Sequence, residues 1–257
     1  MRFSHLVPCL ILAALSTPAF AFPGQEKPTV VMLQRSIGGM ISGSDLTRAN
    51  FNGRILRNAS FVDSDLTRSS FEGALGQNVR FVDTDMRGTN FSHARLEDVA
   101  FMNVKLDEAR FRDFSSQKMA MQTVDVTRSD LRRTHFEGAQ WTDVRITQSD
   151  MSDLRLTAAR LNDVAFEHVS CADGDFSSAN LNDVEFRNTN LSGVAFISSV
   201  LNDVRFVDVT ARDTQFQDSR LNDVSFIRTT GLSTESFVGA CGYDVRGLPD
   251  GVVLPRC

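Results

Sequence analysis

The chain has 257 residues, 42% hydrophobic and 23% charged, with a formal net charge of -5 at pH 7. The basic residues are nearly all Arg, dispersed along the chain and outnumbered by acids, which excludes a basic stripe for nucleic acid. One Trp and one Tyr against 20 Phe leave few aromatic rings for stacking on carbohydrate.

In chain order, Met1 and Arg2 lead into an apolar stretch from Leu6 to Leu15, then Ser16, Thr17, Pro18 and the cleavage pattern Ala19, Phe20, Ala21. The stretch is too short to remain as a membrane span. Residues 1–21 are therefore expected to be a cleaved secretory signal and 22–40 a linker with an N-terminal cap. The mature chain would begin near Phe22, in the periplasm or outside the cell, with no membrane span.

From Ile41 to Phe226 every fifth residue falls on one comb of 38 positions, 36 of them apolar if Cys171 and Ala211 are counted. Gly76 and Ser116 alone break it. A second comb, two residues earlier, holds small or β-branched residues such as Ala49, Ala59, Ser69, Val99, Val164 and Val204. Two of every five side chains thus point inward. A period of five fits neither helix nor flat strand and marks a solenoid. The string LNDV recurs at Leu161, Leu181, Leu201 and Leu221, with WTDV at Trp141 in phase, so four pentads make one coil of 20 residues. Coils stacked at ~4.8 Å would form a rod roughly 45 Å long over 41–230.

The pentads SDLTR at Ser44 and Ser64, ANFNG at Ala49, TNFSH at Thr89, SANLN from Ser178 and TNLSG at Thr189 carry a family resemblance. The chain resembles the pentapeptide-repeat proteins, with their approximate consensus A(D/N)LXX, over nearly three quarters of its length. That resemblance implies an all-β fold, a right-handed quadrilateral parallel β-helix of about nine to ten coils. The later coils depart from the pattern by carrying Val in place of Ala and Asp two residues after the central Leu.

The core residues sort by face as four-sided closure requires. In the N-terminal half Phe61, Phe81 and Phe101 face Phe51, Phe71, Phe91 and Phe111, with Leu or Met between. In the C-terminal half Phe166, Phe186, Phe206 and Phe226 face Phe176, Phe196 and Phe216, with Leu between. Two large and two smaller residues per layer keep the interior near native density. The changeover is expected between Ser116 and Met151, within one rod. Gly76 and Ser116 lie on one face, beside the oversized Leu75, Phe114 and Met119, and form a candidate irregular face, either a local bulge or a partner groove.

After the repeat, residues 231–257 read as a C-terminal cap. Cys241 and Cys257 bracket a tail containing Gly and Pro and are expected to be bridged in an oxidising compartment. Cys171 sits on the inward comb as an ordinary core thiol.

Charge is uneven along the rod. Residues 41–160 hold 17 acidic and 17 basic side chains, whereas 161–230 hold 11 and 5. The most regular outward feature is the column Asp143, Asp163, Asp183, Asp203 and Asp223, flanked by Asn162, Asn182, Asn202 and Asn222. Its carboxylates would repel by roughly 1 kcal/mol per adjacent pair at the dielectric of water. One reading has each Asp bonding a backbone N–H at its corner as an Asx-turn while the Asn amides stack in register. The other is a calcium-binding or protein-docking edge, although a single column supplies few of the oxygens calcium takes.

No nucleophile with its base, phosphate loop or dinucleotide turn can be identified, and His93, His135 and His168 lie on different coils. No enzyme activity and no cofactor are expected. The chain reads as an extracytoplasmic structural or protein-interaction module with an unidentified protein partner. The alternative comes from the resemblance: some family members mimic DNA and bind DNA gyrase, giving quinolone resistance. That role needs a cytoplasmic, strongly acidic protein, and the signal sequence and the 17 to 17 balance argue against it.

Overall fold

A turn at every fifth residue requires a backbone conformation that ordinary side chains avoid. It is supplied two places after each comb position, where the chain repeatedly enters the left-handed region: φ is 49° at Asp63, 52° at Asp83, 54° at Asp163 and 50° at Arg228. Gly, Asn and Asp bear that region with least strain. The computed structural model describes residues 36–257. Within them, the comb from Leu46 to Phe226 is buried at every position except Gly76.

The coils stack into one parallel sheet, with β1 (Ser36–Ser42), β2 (Ile55–Val62), β3 (Leu75–Val82), β4 (Arg95–Lys105), β5 (Ala120–Thr127) and β6 (Gln140–Thr147). It continues through β7 (Arg160–Glu167), β8 (Asn180–Arg187), β9 (Val200–Val207), β10 (Arg220–Asn222), β11 (Ser225–Ile227) and β12 (Cys241–Tyr243). Leu161 pairs with Leu181, Leu181 with Leu201 and Leu201 with Leu221, the step expected from the LNDV strings. The fold is a right-handed quadrilateral parallel β-helix of about ten coils with about 20 residues each.

The corners are of two kinds. Tight corners are closed by a backbone bond, as from Ala49 N–H to the Leu46 carbonyl at 2.9 Å and from Ala159 N–H to the Leu156 carbonyl at 3.1 Å. Open corners lack that bond and lie either inside a strand, as at Asn58 in β2 and Asp163 in β7, or just past a strand end, as at Asp63 after β2 and Asp83 after β3. The inward residue that follows is small after many tight corners (Ala74, Ala94, Ala139, Ala179) and commonly Val after open ones (Val79, Val99, Val164, Val184), since β-branched side chains favour extended backbone. LNDV is therefore the sequence of an open corner. The open corner inside the long strands moves one face along the coil, from Asn58 and Asn78 to Asp143, Asp163, Asp183 and Asp203. β4, at 11 residues, holds both kinds of position, Asp98 and Asn103.

The core changes with it. Phe51, Phe71, Phe91 and Phe111 stack with ring centroids 4.5, 4.8 and 5.0 Å apart, edge-on to the Phe61, Phe81, Phe101 stack. Phe166, Phe186, Phe206 and Phe226 stack at 4.7, 5.1 and 4.9 Å, edge-on to Phe176, Phe196 and Phe216. Between the two sets the aromatic contacts are not parallel: Phe114 to Phe136 at 5.9 Å, Phe136 to Trp141 at 5.8 Å and Trp141 to Phe166 at 6.5 Å.

The ladder runs past residues 41–230 at both ends. The expected signal 1–21 and residues 22–35 lie outside the described residues. Ser36 to Met40 already belong to β1, with Ile37 paired to Leu56. At the other end the ladder continues past Thr230. A 3-10 turn at Glu235–Phe237 precedes a further strand, β12, in which Leu221 pairs with Gly242 in place of residue 241. A Cβ at Gly242 would run into the Leu221 carbonyl. The chain then folds back, with Leu248, Val252 and Leu254 partly buried against the core. The Pro255 carbonyl accepts from Gly242 N–H at 2.8 Å, which covers part of an edge that would otherwise template association.

Candidate interaction surfaces

Three outward residues of each pentad make the surface, and the corner geometry sets their roles. The residue just before each tight-corner comb position is often Asp or Asn, and its side chain accepts from the N–H two residues on: Asp65 from Thr67 at 2.8 Å, Asn90 from Ser92 at 3.0 Å, Asp175 from Ser177 at 2.9 Å. These are Asx-turns. They use the D/N of the repeat consensus and not the Asp of LNDV.

The LNDV aspartates have a different job. Asp143, Asp163, Asp183, Asp203 and Asp223 occupy the left-handed position with φ between 51° and 55°. Among the described residues none of them bonds a backbone N–H through its carboxylate, so the expected Asx-turns are absent here. Asp bears this backbone with less strain than most side chains, although Lys118, Thr123, Arg133 and Ala158 take the same conformation on other corners. The column is exposed. Asp203 meets Arg205 at 3.1 Å, while Asp143, Asp163, Asp183 and Asp223 form no ion pair among the described residues. Among the described residues the Asn ladder has a single closed rung, Asn222 Nδ2 to Asn202 Oδ1 at 2.9 Å.

Asp244, with φ 51°, extends the column into the cap. With Asp203, Arg205, Asp223 and Arg246 it lines a shallow cavity of about 300 Å³. The one-residue insertion hides this sixth member from a strict count of 20. No three His, Cys, Asp or Glu side chains among the described residues are placed to share a metal ion.

Elsewhere acids and bases do pair. Arg87 and Arg132 reach back to Asp85 and Asp130, each at 2.6 Å, and hold those carboxyls below the usual carboxylate range through the hydrogen bond. Arg133 and Arg228 reach down one coil to grip Asp113 and Asp208 with two bonds each, again lowering the carboxyl. These pairs are largely exposed, so each contributes little to stability.

Gly76 and Ser116 share a face with Leu96 between them. A Cβ at Gly76 would meet Leu96 Cδ2 at 2.7 Å and the Leu56 carbonyl at 3.0 Å, so Leu96 occupies the space Gly76 leaves. Ser116 is buried, and Phe114 and Met119, both fully buried, fill the interior beside it. The irregularity is an exchange of volume between neighbours. Among the described residues no tight-turn bond closes the corner from Ser116 to Met119. A cavity of about 230 Å³ opens there, lined by Arg95, Glu97, Ser116, Gln117, His135 and Glu137 among others.

Cys241 and Cys257 form a disulfide with Cα atoms 5.0 Å apart. Cys171 is buried and free, and burial pushes its thiol far above the usual range.

The profile of the pentapeptide repeat region matches residues 42–111, 119–196 and 159–234. The chain belongs to the pentapeptide-repeat family. Pentapeptide-repeat proteins are generally structural or binding modules and can mediate protein interactions. Among solved structures, HetL of the cyanobacterium Nostoc sp. strain PCC 7120, a pentapeptide-repeat protein involved in heterocyst differentiation regulation, is similar at 16% identity. The match covers 83% of this chain and 89% of HetL, with a TM-score of 0.42. Full-length QnrB1, a plasmid-mediated fluoroquinolone resistance protein, is similar at 17% identity over 80% of this chain and 93% of its own, with a TM-score of 0.37. Rfr23 of the cyanobacterium Cyanothece 51142 is similar at 13% identity over 55% and 90%, with a TM-score of 0.30. None of these likenesses bears on what this pentapeptide-repeat protein binds. No curated protein gives a significant match. No helix among the described residues is long and apolar enough to cross a membrane.

Proposed function

We propose that this chain is an extracytoplasmic, non-enzymatic pentapeptide-repeat protein that serves as a stiff structural or protein-interaction rod. The observation that carries the reading is the Cys241–Cys257 disulfide across the cap, since such bonds persist in oxidising compartments. The signal-like residues 1–21 point the same way. The faces offer flat parallel sheet with no inserted loop, which suits contact with a protein surface better than enclosure of a substrate. The C-terminal half, with its column of Asp143, Asp163, Asp183 and Asp223 free of ion pairs among the described residues, is the face assigned to that contact.

Fractionation of cells producing the chain tests the location. Recovery from the periplasm or medium, with an N-terminus near Phe22 and a disulfide that shifts migration on reduction, is the expected result. Recovery of the uncleaved chain from the cytoplasm would overturn it and favour the gyrase-binding alternative, which a gyrase supercoiling assay with the purified chain would then decide. Crosslinking in the periplasm followed by mass spectrometry identifies the partner.

A further inference from the structure

We propose that the last ten residues form a redox-gated strap: the Cys241–Cys257 disulfide holds residues 248–257 across the terminal coil, and its reduction frees them while the rest of the solenoid stays folded. Arg246 is still in register with Ser225. Beyond it the chain leaves the sheet, and among the described residues the one backbone hydrogen bond from 248–257 to the rest of the molecule is that from Gly242 N–H to the Pro255 carbonyl. The strap's apolar residues touch the core without being buried in it. Leu248, Val252 and Leu254 are partly exposed, and Val253 is 88% exposed. Beside Val252 and Leu254 an open cavity of about 340 Å³ is lined by Thr234, Phe237, Ala240, Val252, Leu254 and Pro255 among others.

A segment with one hydrogen bond and incomplete packing belongs to the low-stability end of a structure. What holds it in place is covalent. The bond closes a segment with a sequence separation of 16, and Cys257 is exposed, so an external thiolate can reach it. A dithiol would attack one sulfur to give a mixed disulfide and release the other as a thiolate. Its second thiol then closes on the first, so the dithiol is oxidised to a disulfide and Cys241 and Cys257 are left as two protonated thiols. Cys171, enclosed in the core, takes no part.

Release has a defined consequence. Gly242 N–H loses its acceptor, and Phe237 and Ala240, now 4% and 3% exposed, come into contact with solvent beside the open edge of β12. The oxidised strap is therefore a removable cover over a strand edge, and the blunt end of the rod becomes an adhesive one under reducing conditions.

Hydrogen exchange on the purified full chain, with and without dithiothreitol, tests this separately from any question of location or partner. Reduction should cause loss of amide protection confined to Gly242 and residues 248–257, with protection through β6–β9 unchanged. Alkylation without denaturant should then label Cys241 and Cys257 but not Cys171. The Cys241→Ser, Cys257→Ser double variant should reproduce the reduced pattern, and if it fails to fold, the wild-type chain still decides the matter. Unchanged protection of Gly242 and residues 248–257 after both thiols have been alkylated would overturn the proposal. So would loss of protection throughout the solenoid, which would make the bond a global staple.

Discussion

Phe237 stacks on Phe216 with ring centroids 5.2 Å apart and planes 4° from parallel, although the two are one residue out of step with the repeat. The 3-10 turn Glu235–Phe237 absorbs the extra residue, and the ring also meets Phe226 edge-on at 5.7 Å. Phe237 is thus the last rung of the C-terminal ladder. Phe237→Ala should cost about 3 to 5 kcal/mol, whereas Val253→Ala should change almost nothing. Because each coil contacts only its neighbours, the loss should appear as early fraying of the last coils. Thermal melts followed by circular dichroism, paired with limited proteolysis, would show it.

At Gly76 the constraint is spatial. Gly76→Ala sets a methyl against Leu96 Cδ2, 2.7 Å away, and should destabilise by about 1 to 3 kcal/mol. Shortening the neighbour with Leu96→Ala makes room, so the double variant should be less damaged than the sum of the two singles. A double-mutant cycle in denaturant should give a coupling of about 0.5 to 3 kcal/mol. Strict additivity would mean that Leu96 does not fill the Gly76 space.

These two sites show where sequence reading reached and where it stopped. The comb exposes the core directly, because burial of Leu46 through Phe226 leaves apolar residues no other phase. The break at Gly76 was visible, but its filling by Leu96 was not, since volume exchange between coils needs side-chain positions. The choice between tight and open corners was written in the second comb, as Ala74 or Ala139 against Val79 or Val164. It becomes readable only once the backbone shows two kinds of corner. The terminal coil was hidden by one inserted residue, which moved Phe237 and Asp244 off the count. The Asx-turns were signalled by the D/N of the consensus, in residues such as Asp65 and Asn90, and not by the more regular LNDV column.

That column makes a prediction with two signs. Asp163 has φ 54°, where a β-branched residue is disfavoured by about 1 to 2 kcal/mol, so Asp163→Val should destabilise. Asp163→Asn should be neutral or better, since Asn keeps the conformation and removes a charge. Converting Asp143, Asp163, Asp183, Asp203 and Asp223 together to Asn should raise the melting temperature at low ionic strength. The gain should shrink in about 1 M salt, where the Debye length is about 3 Å.

Acid should weaken the fold by a small increment from each of its paired carboxylates. Hydrogen bonds from Arg87 and Arg132 lower the carboxyls of Asp85 and Asp130 in the folded state, while the unfolded chain titrates near the ordinary Asp value of about 3.9. A depressed folded pKa contributes stability that is fully present well above about pH 3.9 and is lost as pH falls through the folded value. Urea midpoints should therefore drop below about pH 4. Asp130→Asn should start lower and lose less over the same range. A midpoint as acid-sensitive in the variant as in the parent would remove Asp130 from the account.

Trp141 is fully buried at the changeover, with an indole N–H that has no acceptor among the described residues. An orphaned buried donor costs about 1 to 3 kcal/mol. Trp141→Phe removes that donor along with part of the ring, so the two effects oppose and the net change in stability should be small. Trp141→Ala, by contrast, deletes the ring that links Phe136 to Phe166 and should cost about 3 to 5 kcal/mol. As the one Trp in the chain, it also reports its own layer. Its emission should be blue-shifted and poorly quenched by acrylamide in the folded protein. If the two core arrangements unfold separately, the fluorescence transition should not coincide with the circular dichroism transition, and coincident curves would show that the changeover transmits packing from one half of the rod to the other.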